Sequence, residues 1–184
     1  MKKAMMITAC ILAAVLCCAF AAAENAVKED YTVVSVNGVF NIRGVTPEGY
    51  RLEDIQSSDS IITASFRAED PEKPYFDLVI SFAEEWAGVQ RLNDLPPEEM
   101  VKVANDDPAL SDKIEVMETD FGTKVLILRS NNPSDDFASF VTVYRGYEVG
   151  LNLFPGKGSA EPLTDAQISQ AMKFLSDLDF VPAN

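Results

Sequence analysis

Histidine is absent from this chain of 184 residues, and its three cysteines, Cys10, Cys17 and Cys18, all fall close to the N-terminus. Without histidine, neither a Ser-His-Asp nor a Cys-His nucleophilic arrangement can form. Beyond Cys18 there is no thiol, so zinc loses its usual ligands and iron–sulfur clusters have nothing to hold them. No disulfide can staple that part, and its stability must come from a packed core. The chain also has no G-x-G-x-x-G, no phosphate-binding P-loop and no G-x-S-x-G elbow. Basic residues are scarce, with Lys+Arg 15 against Asp+Glu 29 and a net charge of −14. Such a balance argues against nucleic acid, which needs a basic face, and against binding to an anionic membrane surface. It permits cations or a basic partner, although an acidic surface also serves solubility alone.

The N-terminus is organised differently from the rest. Lys2 and Lys3 precede an apolar run over residues 4–20 and the small residues Ala21, Ala22 and Ala23. A charged start, a short apolar segment and small residues predict a secretory signal peptide over residues 1–23. An uncleaved anchor and a lipoprotein stand behind that reading. The run is near the lower length limit for a spanning helix, and Leu16 precedes Cys17 where lipoprotein processing wants a small residue. Removing 1–23 would leave a chain two charges more negative, free of cysteine, and long enough for one domain over residues 24–184. The expected location is secreted, or at the extracytoplasmic cell surface.

Residues 122–154 form the most strand-dense stretch and are expected to supply three antiparallel strands in the middle of a sheet. Tyr147, Val149, Leu151 and Leu153 alternate with Glu148, Gly150 and Asn152, so one face packs on a core. Residues 137–144 and 125–128 are more continuously apolar, as befits strands covered on both faces. Arg145-Gly146 leaves room only for a tight turn, with positive φ expected at Gly146. Upstream, residues 31–36 and 39–42 flank Asn37-Gly38, a strong hairpin signal. Residues 46–50 read as a turn, and 51–60 as a polar connection without a period. Residues 61–68 and 75–82 alternate and are expected to pair. Trp86, Val89 and Leu92 recur every third residue, suggesting helical turns. Pro96-Pro97-Glu98-Glu99 reads as a helix start, with Met100, Val103 and Ala104 as its apolar stripe. Residues 113–118 read as a strand. Thr164 and Gln167 form a capping box for a last helix whose Ile168, Ala171, Met172, Leu175 and Leu178 lie on one face. The predicted class is α+β, one domain with an antiparallel sheet flanked by helices.

Carboxylates are the only abundant chemical groups. Glu84-Glu85, Asp106-Asp107 and Asp135-Asp136 are adjacent pairs, but neighbours on a strand point to opposite faces and do not flank one glycosidic bond. Asn131, Ser134, Asp135 and Asp136 put several oxygens in one loop, as do Asp106, Asp107 and Asp112 near a helix end. Calcium takes six to eight oxygens, so the first loop is the candidate metal site, although neither follows the EF-hand spacing. The other reading is an ordinary turn. Trp86 beside Glu84 and Glu85 is a candidate partner-binding anchor, while its spacing with Val89 and Leu92 favours a core residue. Tyr50, Tyr75, Tyr144 and Tyr147 could line a sugar-binding face or serve as half-buried packing.

Several of these motifs occur together in one known family. Phe40-Asn41-Ile42 followed by Pro47-Glu48-Gly49-Tyr50 resembles the opening of the PsbP-like family, in which an extended strand leads to a Pro-x-Gly-aromatic turn. The alternating pair around residues 70–74, Gly122-Thr123-Lys124 before a long strand, the Tyr144-Arg145-Gly146-Tyr147 hairpin and a closing helix ending over 176–180 are similar too. The resemblance covers about residues 31–180. It implies an α/β/α sandwich around a central antiparallel sheet. Its members are mostly non-enzymatic: lumenal subunits of the photosynthetic oxygen-evolving complex, a nuclear import factor that binds a small GTPase, and exported bacterial proteins. It implies no site residue here, and the export signal matches the bacterial branch. The resulting expectation is an exported bacterial binding module without catalysis or a required cofactor, whose partner is a protein or cell-surface component. The alternatives are a carboxylate-based hydrolase and an acidic calcium-binding protein.

Overall fold

The computed structural model describes residues 30–35, 38–104, 114–119, 122–130, 137–159 and 162–183. Ten strands and two α-helices are found among them: β1 (Asp30–Val34), β2 (Phe40–Val45), β3 (Tyr50–Ser57), β4 (Ile61–Ala68), β5 (Tyr75–Phe82), α1 (Pro97–Ala104), β6 (Ile114–Glu118), β7 (Lys124–Ser130), β8 (Phe137–Tyr144), β9 (Tyr147–Phe154), α2 (Asp165–Ser176) and β10 (Asp179–Pro182). Two short 3₁₀ turns, Glu84–Trp86 and Leu92–Asp94, lie between β5 and α1.

A seven-stranded antiparallel sheet runs in the order β3-β4-β5-β9-β8-β7-β6. The strand-dense stretch thus occupies its middle, as expected. The alternation in β9 does what its period implies: Tyr147, Val149, Leu151 and Leu153 are all buried on one face. They meet Ile62, Ala64 and Phe66 of β4, Phe76, Leu78 and Ile80 of β5, and Ala138 and Phe140 of β8. Two elements cover this face. One is α2, through Ile168, Ala171, Phe174 and Leu175, started by the expected reciprocal bonds of Thr164 and Gln167. The other is a second sheet of three strands, in the order β1-β2-β10, which contributes Tyr31, Val33, Phe40 and Ile42. The opposite face is covered over its β7–β8 half by residues on the way from β5 to β6. Trp86, Leu92 and Met100 pack there on Leu126 and Val143.

The architecture is therefore α+β, mostly antiparallel sheet, with fewer helices than expected. Three local expectations need correcting. Residues 51–60 are not a connection: β3 is an edge strand on β4, with a register shift between Leu52 and Asp54. Only Tyr50 and Leu52 at its start pack on the core; residues 53–57 are exposed throughout and so show no period, and charge there blocks edge-to-edge pairing. The chain end is not helical to residue 180. It turns at Asp177 into β10, which pairs with β2 from Asp179↔Arg43 to Pro182↔Phe40. Finally, Trp86 and Leu92 belong to two 3₁₀ turns; a strict period of three is the 3₁₀ repeat and not the α repeat.

The turns follow their chemistry. Gly49 takes φ +81° after Pro47-Glu48, and the Tyr50 N–H donates to the Pro47 carbonyl at 3.0 Å. At the β8–β9 hairpin both central residues have positive φ, Arg145 at 53° and Gly146 at 80°, which makes a type I′ turn. A second surface loop is held by contact and not by φ. Gly156 lies so close to the backbone of Glu72 that any Cβ would collide with that carbonyl, and the Lys157 N–H donates to the Pro71 carbonyl at 2.8 Å. Gly156→Ala is expected to lose about 1–3 kcal/mol, the range for overpacking a fitted contact. Urea unfolding checks this: the midpoint should fall with the slope unchanged.

Candidate functional site

A cavity of about 380 Å³ opens at the end of the large sheet where the second 3₁₀ turn, the end of β8 and the start of β10 converge. Its wall carries Arg91, Asp94, Thr123, Tyr144, Asp179 and Phe180. Each is placed by a separate local device. Arg91 forms an isolated antiparallel bridge with Tyr144, extending the end of β8. The Arg91 N–H donates to Asp94 Oδ2 at 3.0 Å, and Leu92 between them is fully buried. Asn93 pins this turn to the large sheet: its amide donates to the Gly122 carbonyl at 2.6 Å and accepts the Lys124 N–H at 3.0 Å. Tyr144 and Phe180 form an aromatic wall with ring centroids 4.8 Å apart. Phe180 reaches it only because β10 pairs with β2.

The charges on this wall form no ion pair with a described residue, although Arg43 stands directly across from Asp179 on β2. Five ion pairs join described residues, and none includes Arg91, Asp94 or Asp179. The open face of β4, β5 and β9 is different. Arg67 there contacts Asp77 at 2.8 Å and Glu53 at 3.5 Å, and lies 4.2 Å over the Tyr75 ring. That arginine is already satisfied, and a ligand would have to displace Asp77 to use it.

The Glu148 carboxyl has a displaced titration. Burial raises it above the usual carboxylate range, the Trp86 hydrogen bond opposes that rise, and the nearby Glu85 charge adds to it. Trp86 Nε1–H donates to Glu148 Oε2 at 3.2 Å. Because the folded value lies above the unfolded one, the folded state disfavours the ionised form. Stability is therefore gained as pH falls through the folded value toward the ordinary glutamate range, and is lost as pH rises. The measurement is a pair of melts across pH 8 to about 4.5. Glu148→Gln should be the more stable protein at pH 8, and its advantage should shrink steadily on acidification. A constant difference would exclude this linkage.

Of the residues singled out from sequence, some lie among the described residues and some do not. Asn131, Ser134, Asp135 and Asp136, the calcium candidates, lie outside the described residues, as do Asp106, Asp107 and Asp112. Among the described residues no group of three or more carboxylate side chains could hold a metal ion. Glu84 and Glu85 are exposed on the first 3₁₀ turn. Trp86 is 0% exposed, so it is the core residue that its spacing suggested and not an anchor offered to a partner. The tyrosines do not form a sugar-binding face. Tyr50, Tyr144 and Tyr147 pack toward the core rings Phe76 and Phe40, whereas Tyr75 lies under Arg67 on the opposite face. Arg91, Asp94 and Asp179 carried no sequence signal, because no motif or period links residue 179 to the 91–94 turn.

No helix among the described residues is long and apolar enough to cross a membrane. In comparison with known proteins, no family model matches the chain and no curated protein matches it in sequence.

Proposed function

We propose that this chain is an exported, non-catalytic binding module, related in architecture to the PsbP-like sandwich, that takes its ligand in the cavity between the 91–94 turn, β8 and β10. One observation carries the reading. Arg91, Asp94 and Asp179 line a common cavity and form no ion pair with any described residue, beside the aromatic wall of Tyr144 and Phe180. Convergent polar groups in a preformed concavity are the general mark of a ligand site. The PsbP-like relation is supported by the layering, with α2 on one face of the large sheet and the segment bearing α1 on the other. Export is supported by the charged and apolar start of the chain.

The carboxylate-hydrolase reading has one observation in its favour, since Asp94 and Asp179 share the cavity. Acid–base work by two carboxyls needs environments that push their titrations apart. Asp94 and Asp179 are both exposed, and the displaced carboxyl, Glu148, does not line the cavity. The test is native mass spectrometry of the protein after equilibration with culture medium and with cell-surface extract, alongside a hydrolase substrate panel. A species retained by the wild type and released by Arg91→Gln supports the reading. Turnover in the panel, abolished by Asp94→Asn or Asp179→Asn, would overturn it, as would retention of nothing.

A further inference from the structure

We infer that the cavity recognises a small zwitterion of the amino-acid class, with its carboxylate on Arg91, its ammonium on Asp179, and its side chain against Tyr144 and Phe180. This rests on the binding-module reading and specifies its ligand. Salt bridges in this protein form where opposite charges meet, as with Arg67 and Asp77 at 2.8 Å. Arg91 and Asp179 line one cavity yet form no such contact, with each other or with any described residue. Opposite charges held apart across a concavity complement a molecule that carries both. Simpler ligands fit less well. An anion would satisfy Arg91 but meet the like charges of Asp94 and Asp179. A cation would satisfy the aspartates but leave Arg91 against it. An uncharged apolar molecule would desolvate all three charges without return.

The remaining wall agrees. The paired rings of Tyr144 and Phe180 offer apolar surface and an electron-rich face to an ammonium-bearing chain. The Thr123 hydroxyl lies on the same wall. Asn93 also lines the cavity, with one N–H and one lone pair of its amide already used by Gly122 and Lys124. The volume, about 380 Å³, is near the small end of the range for ligand pockets, roughly 300–1,000 Å³. That is room for a single amino acid and not for a long polymer segment.

The purified chain is titrated calorimetrically with phenylalanine, leucine, phenethylamine, which keeps only the ammonium, and 3-phenylpropionate, which keeps only the carboxylate. Melting is followed in parallel. Phenylalanine or leucine is expected to bind at one site and raise the melting temperature by several degrees at saturation. The two single-charge analogues should bind at least about tenfold more weakly, each having lost one charge-assisted contact. Arg91→Gln and Asp179→Asn should each weaken amino-acid binding about tenfold or more. Both sites are exposed, so the unliganded variants should melt close to the wild type. No binding of either amino acid at about 10 mM, far above the dissociation constants such sites reach, would overturn the inference. So would equal binding of the analogues, or variants that bind as the wild type does. The two proposals fail separately. If native mass spectrometry finds a retained species that is not a zwitterion, the module stands and this inference falls. If nothing is retained and no amino acid binds, both fall.

Discussion

Replacing Phe40 with alanine is expected to lower the unfolding free energy by about 3–5 kcal/mol, the range for truncating a buried aromatic. At this chain length that is a drop of roughly 2–4 °C per kcal/mol in melting temperature. Phe40 opens β2 and is fully buried. Its ring stands edge-on to Tyr144 and Tyr147 of the large sheet, at 5.0 and 5.5 Å between centroids, and lies 6.2 Å from Phe180 of β10. With Phe180, which lies 4.8 Å from Tyr144, it is a side chain through which the three-stranded sheet meets the β8–β9 hairpin. Edge-on aromatic pairs add about 0.5–1.5 kcal/mol beyond the area they bury, which places the expectation toward the upper part of the range. Phe40→Leu keeps most of the volume and loses the ring geometry, so it should cost less than half as much. Urea unfolding of the wild type and both variants is the measurement. A loss below about 1 kcal/mol, the central value for an ordinary substitution, would mean that the small sheet is not seated on the large one through this residue. The same variant bears on the cavity, because Tyr144 and Phe180 are the rings that Phe40 supports. Phe40→Ala should weaken ligand binding even at temperatures where the protein remains folded.

Phe40 also marks the limit of what sequence pattern could reveal. Elements with a strong local signature were legible: the alternation of Tyr147, Val149, Leu151 and Leu153, the capping box of Thr164 and Gln167, and the Pro-x-Gly turn before Tyr50. Each is written in residues within one turn or one strand of each other, the range over which periodicity operates. What was not legible depends on contacts between distant segments. The hairpin of β1 and β2 was expected, yet nothing local says that it leaves the main sheet and pairs with β10. The four residues of β10 are too few to show alternation against the helix before them. The edge strand β3 was hidden for the opposite reason: a strand exposed throughout residues 53–57 has no hydrophobic period to display there. The cavity inherits this difficulty. Its cation comes from a 3₁₀ turn, its aromatic wall from β8 and β10, and one of its aspartates from β10. Since β10 itself could not be read, neither could the site. At the hairpin, positive φ was expected only at Gly146. Arg145 shares that conformation because the Gln90 carbonyl accepts its N–H at 2.8 Å and the Val89 carbonyl accepts that of Gly146 at 2.8 Å, a clasp from a segment far away in sequence.

That clasp makes Trp86 the other residue whose loss should be severe, with a different signature. Trp86→Ala removes the largest side chain of the second core, where five buried residues, Trp86, Leu92, Met100, Leu126 and Val143, pack together. The truncation itself is expected to cost about 3–5 kcal/mol. It also leaves the half-buried Glu148 carboxylate without its donor, and a hydrogen bond to a charged group contributes about 1.5–3 kcal/mol. Glu85 stays nearby, so the carboxyl should titrate still higher in the variant. The other core, with Phe40, is on the opposite face of the sheet and does not share these contacts. The damage should therefore be local. Hydrogen exchange at the amide of Val89, bonded to the Trp86 carbonyl, and at those of Arg145 and Gly146, which bridge the hairpin tip to the 86–90 segment, should accelerate by about a hundredfold or more, tenfold for each 1.4 kcal/mol. Amides in the pairing of β4 with β5 should slow exchange nearly as before. Trp86→Phe keeps one ring but loses both the N–H and part of the packing volume, so pH is what separates the two contributions. Its cost should be larger at pH 8 than at pH 5, because the hydrogen bond matters most while Glu148 is ionised. A cost independent of pH would assign the role of Trp86 to packing alone. Uniform acceleration across the whole sheet would mean that the two faces unfold as one unit.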